Sequence, residues 1–143
     1  MNVRELLKQQ EGDGLPGKPF EAYKCPKGKW TIGWGRNIEA KGLRITRDQA
    51  EALLSVDIAD AAAGARRLVA NFDQLNNVRQ AVLVSMIFQL GEAGFGRFKK
   101  TRRFIEAGDF KNAAVEMLDS PWAKAQTPKR AKQLARMMRD GKW

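Results

Sequence analysis

The sequence predicts a predominantly helical α+β fold, with a small lobe built on an antiparallel hairpin, a long connecting helix and a larger helical lobe. Three observations lead to this prediction. Two β-prone segments, 20–24 and 29–34, flank a Pro-Lys-Gly turn at 26–28. From residue 47, apolar residues follow i, i+3, i+4 spacing for about twenty residues. The chain after residue 71 shows helical patterns throughout.

The first helix is predicted over 3–10, because its apolar side chains share one face. Gly12 ends it and leaves Glu11 at its C-terminal end. Unpaired carbonyl groups there disfavour a carboxylate and favour its protonated form, as a general acid requires. The alternative is that Glu11 is a solvated surface acid. After the hairpin, residues 42–45 are a candidate third strand.

Two long helices are predicted in the middle of the chain. Thr46 and Gln49 have capping-box spacing, so the connecting helix starts there. A second helix, over 78–90, has almost no polar face, which is typical of the buried centre of a bundle. An asparagine at 76 or 77 caps it, and the segment 91–94, with its two glycines, ends it.

The last part of the chain is predicted to be wholly helical. A helix from Pro128 to about Arg139 begins after a Thr127 cap. The shorter helical segments before it are 96–107, 111–118 and 121–125. We therefore expect one domain over 1–143, comprising a small lobe at about 12–46, a connecting helix at about 47–70, and a helical lobe at about 71–143 packed with helix 2–10. A cleft is expected between the lobes.

Composition excludes several classes of function. The 143 residues include no histidine, which rules out Ser-His-Asp hydrolysis and histidine-ligated zinc, and a single cysteine rules out an intrachain disulfide. The net charge is +10, and residues 72–143 carry 14 basic and 7 acidic side chains, or +7 of it. Such an excess attracts nucleic acid, acidic lipid or the peptide carboxylates of peptidoglycan. No signal peptide or membrane-spanning run is found, so the chain is expected in the cytoplasm.

Three ordered blocks of sequence carry a resemblance. The first is Glu-Gly after the first helix, followed by Tyr-Lys-Cys, five further residues and Thr-Ile-Gly-x-Gly; the others are 86–92 and 126–132. Together they resemble the phage lysozymes of the T4 type, the endolysin muramidases. The resemblance implies a two-lobed lysozyme-like fold. It also implies a phage endolysin that causes host cell lysis by hydrolysing the β-1,4 bond between N-acetylmuramic acid and N-acetylglucosamine, without metal or cofactor.

The family's catalytic Glu, Asp or Cys, and Thr fall on Glu11, Cys25 and Thr31. Glu11 is then the acid that protonates the leaving oxygen, and Cys25 and Thr31 hold, activate or replace the water on the other face of the sugar. Three lysines near Cys25 favour its thiolate. We favour water activation by that thiolate over direct attack on the sugar. Otherwise Cys25 is a small buried hydrophobe and Thr31 an ordinary strand residue.

The same resemblance assigns substrate contact to Phe88, Gln89 and Thr101, the last by counting from Phe98. Arg130 resembles the arginine that pairs with the catalytic glutamate. The alternatives are core packing for Phe88 and a solvated helix charge for Arg130.

Two departures from the family pattern limit the transfer. Thirteen residues separate Glu11 from Cys25, more than the family usually has, and the excess is most easily placed in a loop at 12–19. Arg36 stands where the T4 enzyme has a histidine, so any role of a titrating imidazole there is lost.

The expected partner is peptidoglycan, with functional dependence on a holin-type membrane permeabiliser and action on the wall only after permeabilisation. A monomer is expected. The last helix is basic and amphipathic, so it either contacts acidic membranes or closes the helical lobe. The competing functions are nucleic-acid binding, for which the sequence offers charge but no recognition motif, and non-catalytic peptidoglycan binding.

Overall fold

A computed structural model of the chain describes residues 1–12, 22–24, 29–38 and 44–143. The helices in these ranges are α1 (Val3–Glu11), α2 (Arg47–Leu68), α3 (Asn77–Gly96), α4 (Lys99–Glu106), α5 (Phe110–Leu118) and α6 (Pro128–Asp140). The strands are β1 (Tyr23–Lys24), β2 (Trp30–Ile32) and β3 (Arg36–Asn37). A 3₁₀ turn at Phe72–Gln74 and a π-helical segment at Trp122–Gln126 complete these elements. The predicted α+β class, dominated by helix, is confirmed.

The three strands form an antiparallel sheet in the order β1-β2-β3. Thr31 in the middle strand lies opposite Tyr23 on one side and Asn37 on the other. The strand predicted over 29–34 ends earlier, at Ile32, because Gly33 adopts φ 61° and turns the chain into β3. The predicted hairpin turn at 26–28 and residues 42–43 of the candidate third strand lie outside the described residues.

The chain divides into two compact units, one of Arg4–Asp60 and one of Ala61–Trp143 with Met1–Val3. The predicted boundaries of the lobes stay a prediction. The first unit contains most of α1, the sheet and most of α2. Its buried apolar side chains are Leu6, Leu7, Ile32, Trp34, Ala50 and Leu54.

The start of α2 is the capping box that the sequence predicted. The Gln49 backbone N–H donates to Thr46 Oγ1 at 3.1 Å, and the Thr46 backbone N–H donates to Gln49 Oε1 at 2.9 Å. Each side chain therefore satisfies a backbone donor that the helix leaves unpaired.

In the second unit, α3 is buried along most of its length, as its apolar sequence predicted. Asn76 caps it, accepting from the Arg79 N–H at 2.9 Å. The predicted end of the helix over 78–90 is confirmed at Gly91, which leaves helical geometry with φ 75° and ψ 165°; a short helical stretch, which the sequence did not predict, then continues to Gly96. That backbone conformation is essentially restricted to glycine, which explains the break.

The last helix, α6, packs its apolar face inside the second unit. It begins after Thr127 with proline at its start, as predicted, and Gly141 ends it with φ 65°. No helix among the described residues combines the length and apolar character needed to cross a membrane. The buried residues of α6 are Ala131, Leu134, Ala135, Met137 and Met138.

Candidate active site

Glu11 is the last residue of α1, which places its carboxyl group at the C-terminal end of the helix as predicted. Gly12 follows with φ 93°, a conformation that stops the helix. The last carbonyl groups of α1 have no partner within the helix and give this end a partial negative charge. Glu11 is half-buried there.

Thr31 lies in the middle of the sheet and its side chain is only 1% exposed. Its Oγ1 donates to the backbone carbonyl of Lys29 at 3.2 Å. A hydroxyl that donates in this way keeps oxygen lone pairs to accept from another donor. Thr31 takes part in a further interaction besides this hydrogen bond.

Cys25, the third predicted catalytic residue, lies outside the described residues. It follows directly after Lys24, the last residue of β1. Because Tyr23 is the register partner of Thr31, only two positions along the chain separate Cys25 from a residue paired with Thr31.

Both the oxygen and the nitrogen of the Gln89 side-chain amide form hydrogen bonds within the second unit. The Trp122 indole N–H donates to Gln89 Oε1 at 2.9 Å, and Gln89 Nε2 donates to Thr127 Oγ1 at 3.2 Å. The amide keeps one N–H and one lone pair for another partner. Its neighbour Phe88 is half-buried, which is compatible with both packing and substrate contact.

Thr101 is 2% exposed and lines a pocket of about 530 Å³ in the second unit. Phe98 and Trp122 line the same pocket, with their rings edge to face and centroids 6.0 Å apart.

Arg130 is half-buried on α6. It belongs to the second unit and Glu11 to the first, so their ion pair stays a prediction.

Sequence reasoning missed the partner of Arg36. Arg36 Nη1 lies 3.5 Å from Asp57 Oδ1. Burial raises the pKa of Asp57, and Arg36 only partly offsets this effect. The sequence gave no sign of this ion pair, because the pair forms only where β3 packs against α2.

A second missed cluster joins α1 to α2. The Glu51 carboxylate accepts a hydrogen bond from Arg4 at 2.6 Å and another from Lys8. The hydrogen bond from Lys8 is the largest cause of a lowered Glu51 pKa, and the positive charges of Lys8 and Arg4 lower it further. The Lys8 ammonium also lies 4.2 Å from the ring centroid of buried Trp34. Only the helical spacing of Arg4 and Lys8 hinted at a shared partner.

The structure combines a helix-ending glutamate with a small antiparallel sheet in a mostly helical chain, which is consistent with a glycoside hydrolase of the lysozyme class. Comparison with known proteins agrees: a sequence model described as phage lysozyme matches residues 14–139. The chain belongs to the phage lysozyme family, and it is a peptidoglycan-hydrolysing glycoside hydrolase.

Individual relatives point the same way. Probable T4-type lysozymes 2 and 1 of Dictyostelium discoideum are 26% and 28% identical to this chain over 167 aligned positions, which cover 98% of it and 95% of each relative. An endolysin of Acyrthosiphon pisum secondary endosymbiont phage 1 is 30% identical over 122 positions, covering 85% of this chain and 77% of that protein.

Proposed function

We propose that the protein is an endolysin that cuts the β-1,4 bond between N-acetylmuramic acid and N-acetylglucosamine, with Glu11 as the general acid. The observation that carries this proposal is the half-buried Glu11 carboxyl at the C-terminal end of α1. A protonated carboxyl group at that position can deliver its proton to the leaving glycosidic oxygen.

In this proposal Thr31 and Cys25 act on the water. A water molecule that donates one hydrogen to Thr31 Oγ1 has its lone pairs turned elsewhere, toward the anomeric carbon. The Cys25 thiolate then takes the second proton as the water attacks. The hydrogen bond from Thr31 Oγ1 to the Lys29 carbonyl supports this role, because it fixes the hydroxyl group within the sheet.

Substrate contact is assigned to Phe88, Gln89 and Thr101, and Arg130 is proposed to pair with Glu11. The free N–H and lone pair of the Gln89 amide support a sugar contact at the end of the buried part of α3. The pocket lined by Thr101 supports a contact there.

We also propose that the enzyme is a monomer that reaches the wall through a membrane-permeabilising partner of the holin type. Acidic-membrane contact by α6 would use only its basic face, because its apolar residues are buried in the second unit.

Mass spectrometry of digested peptidoglycan tests the bond specificity. The expected products carry a new reducing-end N-acetylmuramic acid and intact stem peptides. Products with a new reducing-end N-acetylglucosamine, or with cleaved peptide or amide bonds, would overturn the proposal.

A further inference from the structure

Lys8 lies one helical turn before Glu11 on α1, and its side chain is only 16% exposed. Residues three positions apart on a helix are neighbours on its surface. The Lys8 ammonium donates a hydrogen bond to the Glu51 carboxylate of α2. It also lies 4.2 Å from the ring centroid of Trp34. One mostly buried charge therefore contacts two other segments of the chain from a position next to Glu11.

Trp34 belongs to the turn between β2 and β3 and follows Thr31 by three residues. It is 2% exposed, and so it belongs to the core of the first unit. The contact between the Lys8 ammonium and the Trp34 ring is a cation–π interaction, which is stronger where water is excluded. Lys8 thus connects the helix that ends at Glu11 to the turn that follows the strand of Thr31.

Arg4 shares the Glu51 carboxylate with Lys8 and provides a comparison. The Arg4 side chain is 34% exposed, about twice the exposed fraction of Lys8. Its hydrogen bonds to described residues go to Glu51 and Ser55, which both lie on α2. Arg4 therefore connects α1 to α2 alone, whereas Lys8 connects α1 to α2 and to the turn after β2.

We propose that Lys8 is a positioning residue, which fixes α1 against the turn after β2 and so sets the place of Glu11 relative to Thr31. The inference rests on the proposed function, in which these two residues act on opposite sides of one glycosidic bond. A mostly buried ammonium is costly unless its partners stay in place, so the two contacts of Lys8 restrict the separation between α1 and the turn. A displacement of about 1 Å in such a site can lower the rate about 10²-fold.

Steady-state cleavage of soluble glycan strands tests the role of Lys8. Lys8→Met keeps the apolar stem and removes the charge, so kcat should fall about tenfold while KM stays within about twofold, because a misplaced acid weakens mainly the transition state. Lys8→Arg keeps a cation for both contacts and should restore most of kcat. Arg4→Met is the matched control, since it also removes a partner of Glu51, and its kcat should stay close to wild type. Circular dichroism identifies a temperature at which every variant is folded.

A second measurement does not depend on catalysis. The NMR backbone order parameters of Glu11 and Thr31 should fall in Lys8→Met below the ~0.85 that is typical of rigid backbone. They should recover in Lys8→Arg, because the arginine keeps both contacts. Arg4→Met should leave the order parameter of Thr31 unchanged, because Arg4 connects α1 to α2 alone.

A normal kcat for Lys8→Met, or an equal loss of kcat in Arg4→Met, would overturn the inference. A kcat for Lys8→Arg as low as that for Lys8→Met would overturn it too. Lowered order parameters in Lys8→Met, together with full turnover by Glu11→Gln, would keep the positioning role of Lys8 and reject Glu11 as the acid. Loss of turnover in Glu11→Gln with a normal kcat for Lys8→Met would do the reverse.

Discussion

Cys25 is proposed to stand at the catalytic position where the family accepts aspartate or cysteine. If its thiolate activates water, Cys25→Asp should keep substantial turnover because a carboxylate can do the same. Cys25→Ala should lose about 10²- to 10⁴-fold, the usual contribution of a general base. Initial rates of peptidoglycan solubilisation measure both. Normal rates for Cys25→Ala and for the alkylated wild-type protein would mean that the thiol only packs.

Gly141 ends α6 at φ 65°, and a Cβ built there lies 2.9 Å from the Arg79 guanidinium and from Asn76 Nδ2. Gly141→Ala should therefore lower the free energy of unfolding by about 2 to 3 kcal/mol, the sum of a backbone penalty and a clash. Gly108 has φ 75° but open space around its Cβ position. Gly108→Ala is the control and should cost about 1 kcal/mol in urea unfolding. Equal losses in the two variants would contradict the steric account.

At the residue scale, local signals predicted what depends on local structure. Glu11 at the end of α1 followed from helix periodicity and Gly12 alone. The partners of Gln89 and the convergence of Arg97 with Glu116 on one pocket depend on how distant segments pack. Such contacts leave no mark in the spacing of a single sequence.

At the scale of elements, α1 is fastened to α2 by opposite charges. Arg4 and Lys8 both bind Glu51 and lower its pKa. The two ion pairs therefore stabilise the folded protein above the ordinary glutamate pKa. This stabilisation is lost as the pH falls through the pKa of Glu51 in the folded protein. Glu51→Gln should cost roughly 1 kcal/mol at pH 7. The loss should shrink below about pH 4. Urea unfolding between pH 3 and pH 7 measures it, and a loss independent of pH would contradict the ion-pair account.

The pKa of Asp57 is shifted in the opposite direction from that of Glu51. Burial raises its pKa, so ionisation of Asp57 lowers the free energy of unfolding as the pH rises through the folded value. Asp57→Asn should gain stability relative to the wild type as the pH rises from 3 to 7. A steady loss over the same range would mean that the Arg36 pair outweighs burial.

Elements with strong end signals were predictable, and elements held by their neighbours were not. The Thr46 capping box starts α2 where the sequence placed it. The strand β3 is a polar Arg36–Asn37 pair with little β-propensity of its own, and pairing with β2 stabilises it. The helical segment predicted over 121–125 lies at Trp122–Gln126, where it packs against α5 and α6, but the sequence did not predict its π-helical geometry.

At the scale of the whole molecule, the proposal is that access to the wall requires a membrane-permeabilising partner. Cells that make the protein in the cytoplasm should stay intact until the inner membrane is disrupted, for instance by chloroform, and should then lyse. Culture turbidity before and after permeabilisation measures this. Prompt lysis without a permeabilising agent would show that the protein crosses or attacks the membrane itself.

The central claim is that Glu11, at the end of α1, protonates the leaving sugar. Glu11→Gln keeps the size of the side chain and removes the transferable proton, so release of reducing-end N-acetylmuramic acid should fall by at least about 10²-fold. Co-sedimentation with insoluble peptidoglycan should stay close to wild type. The decisive measurement is quantitative mass spectrometry of muropeptides from the Glu11→Gln and wild-type proteins at equal bound enzyme. A near-normal yield from Glu11→Gln would contradict the account and assign the proton to another group.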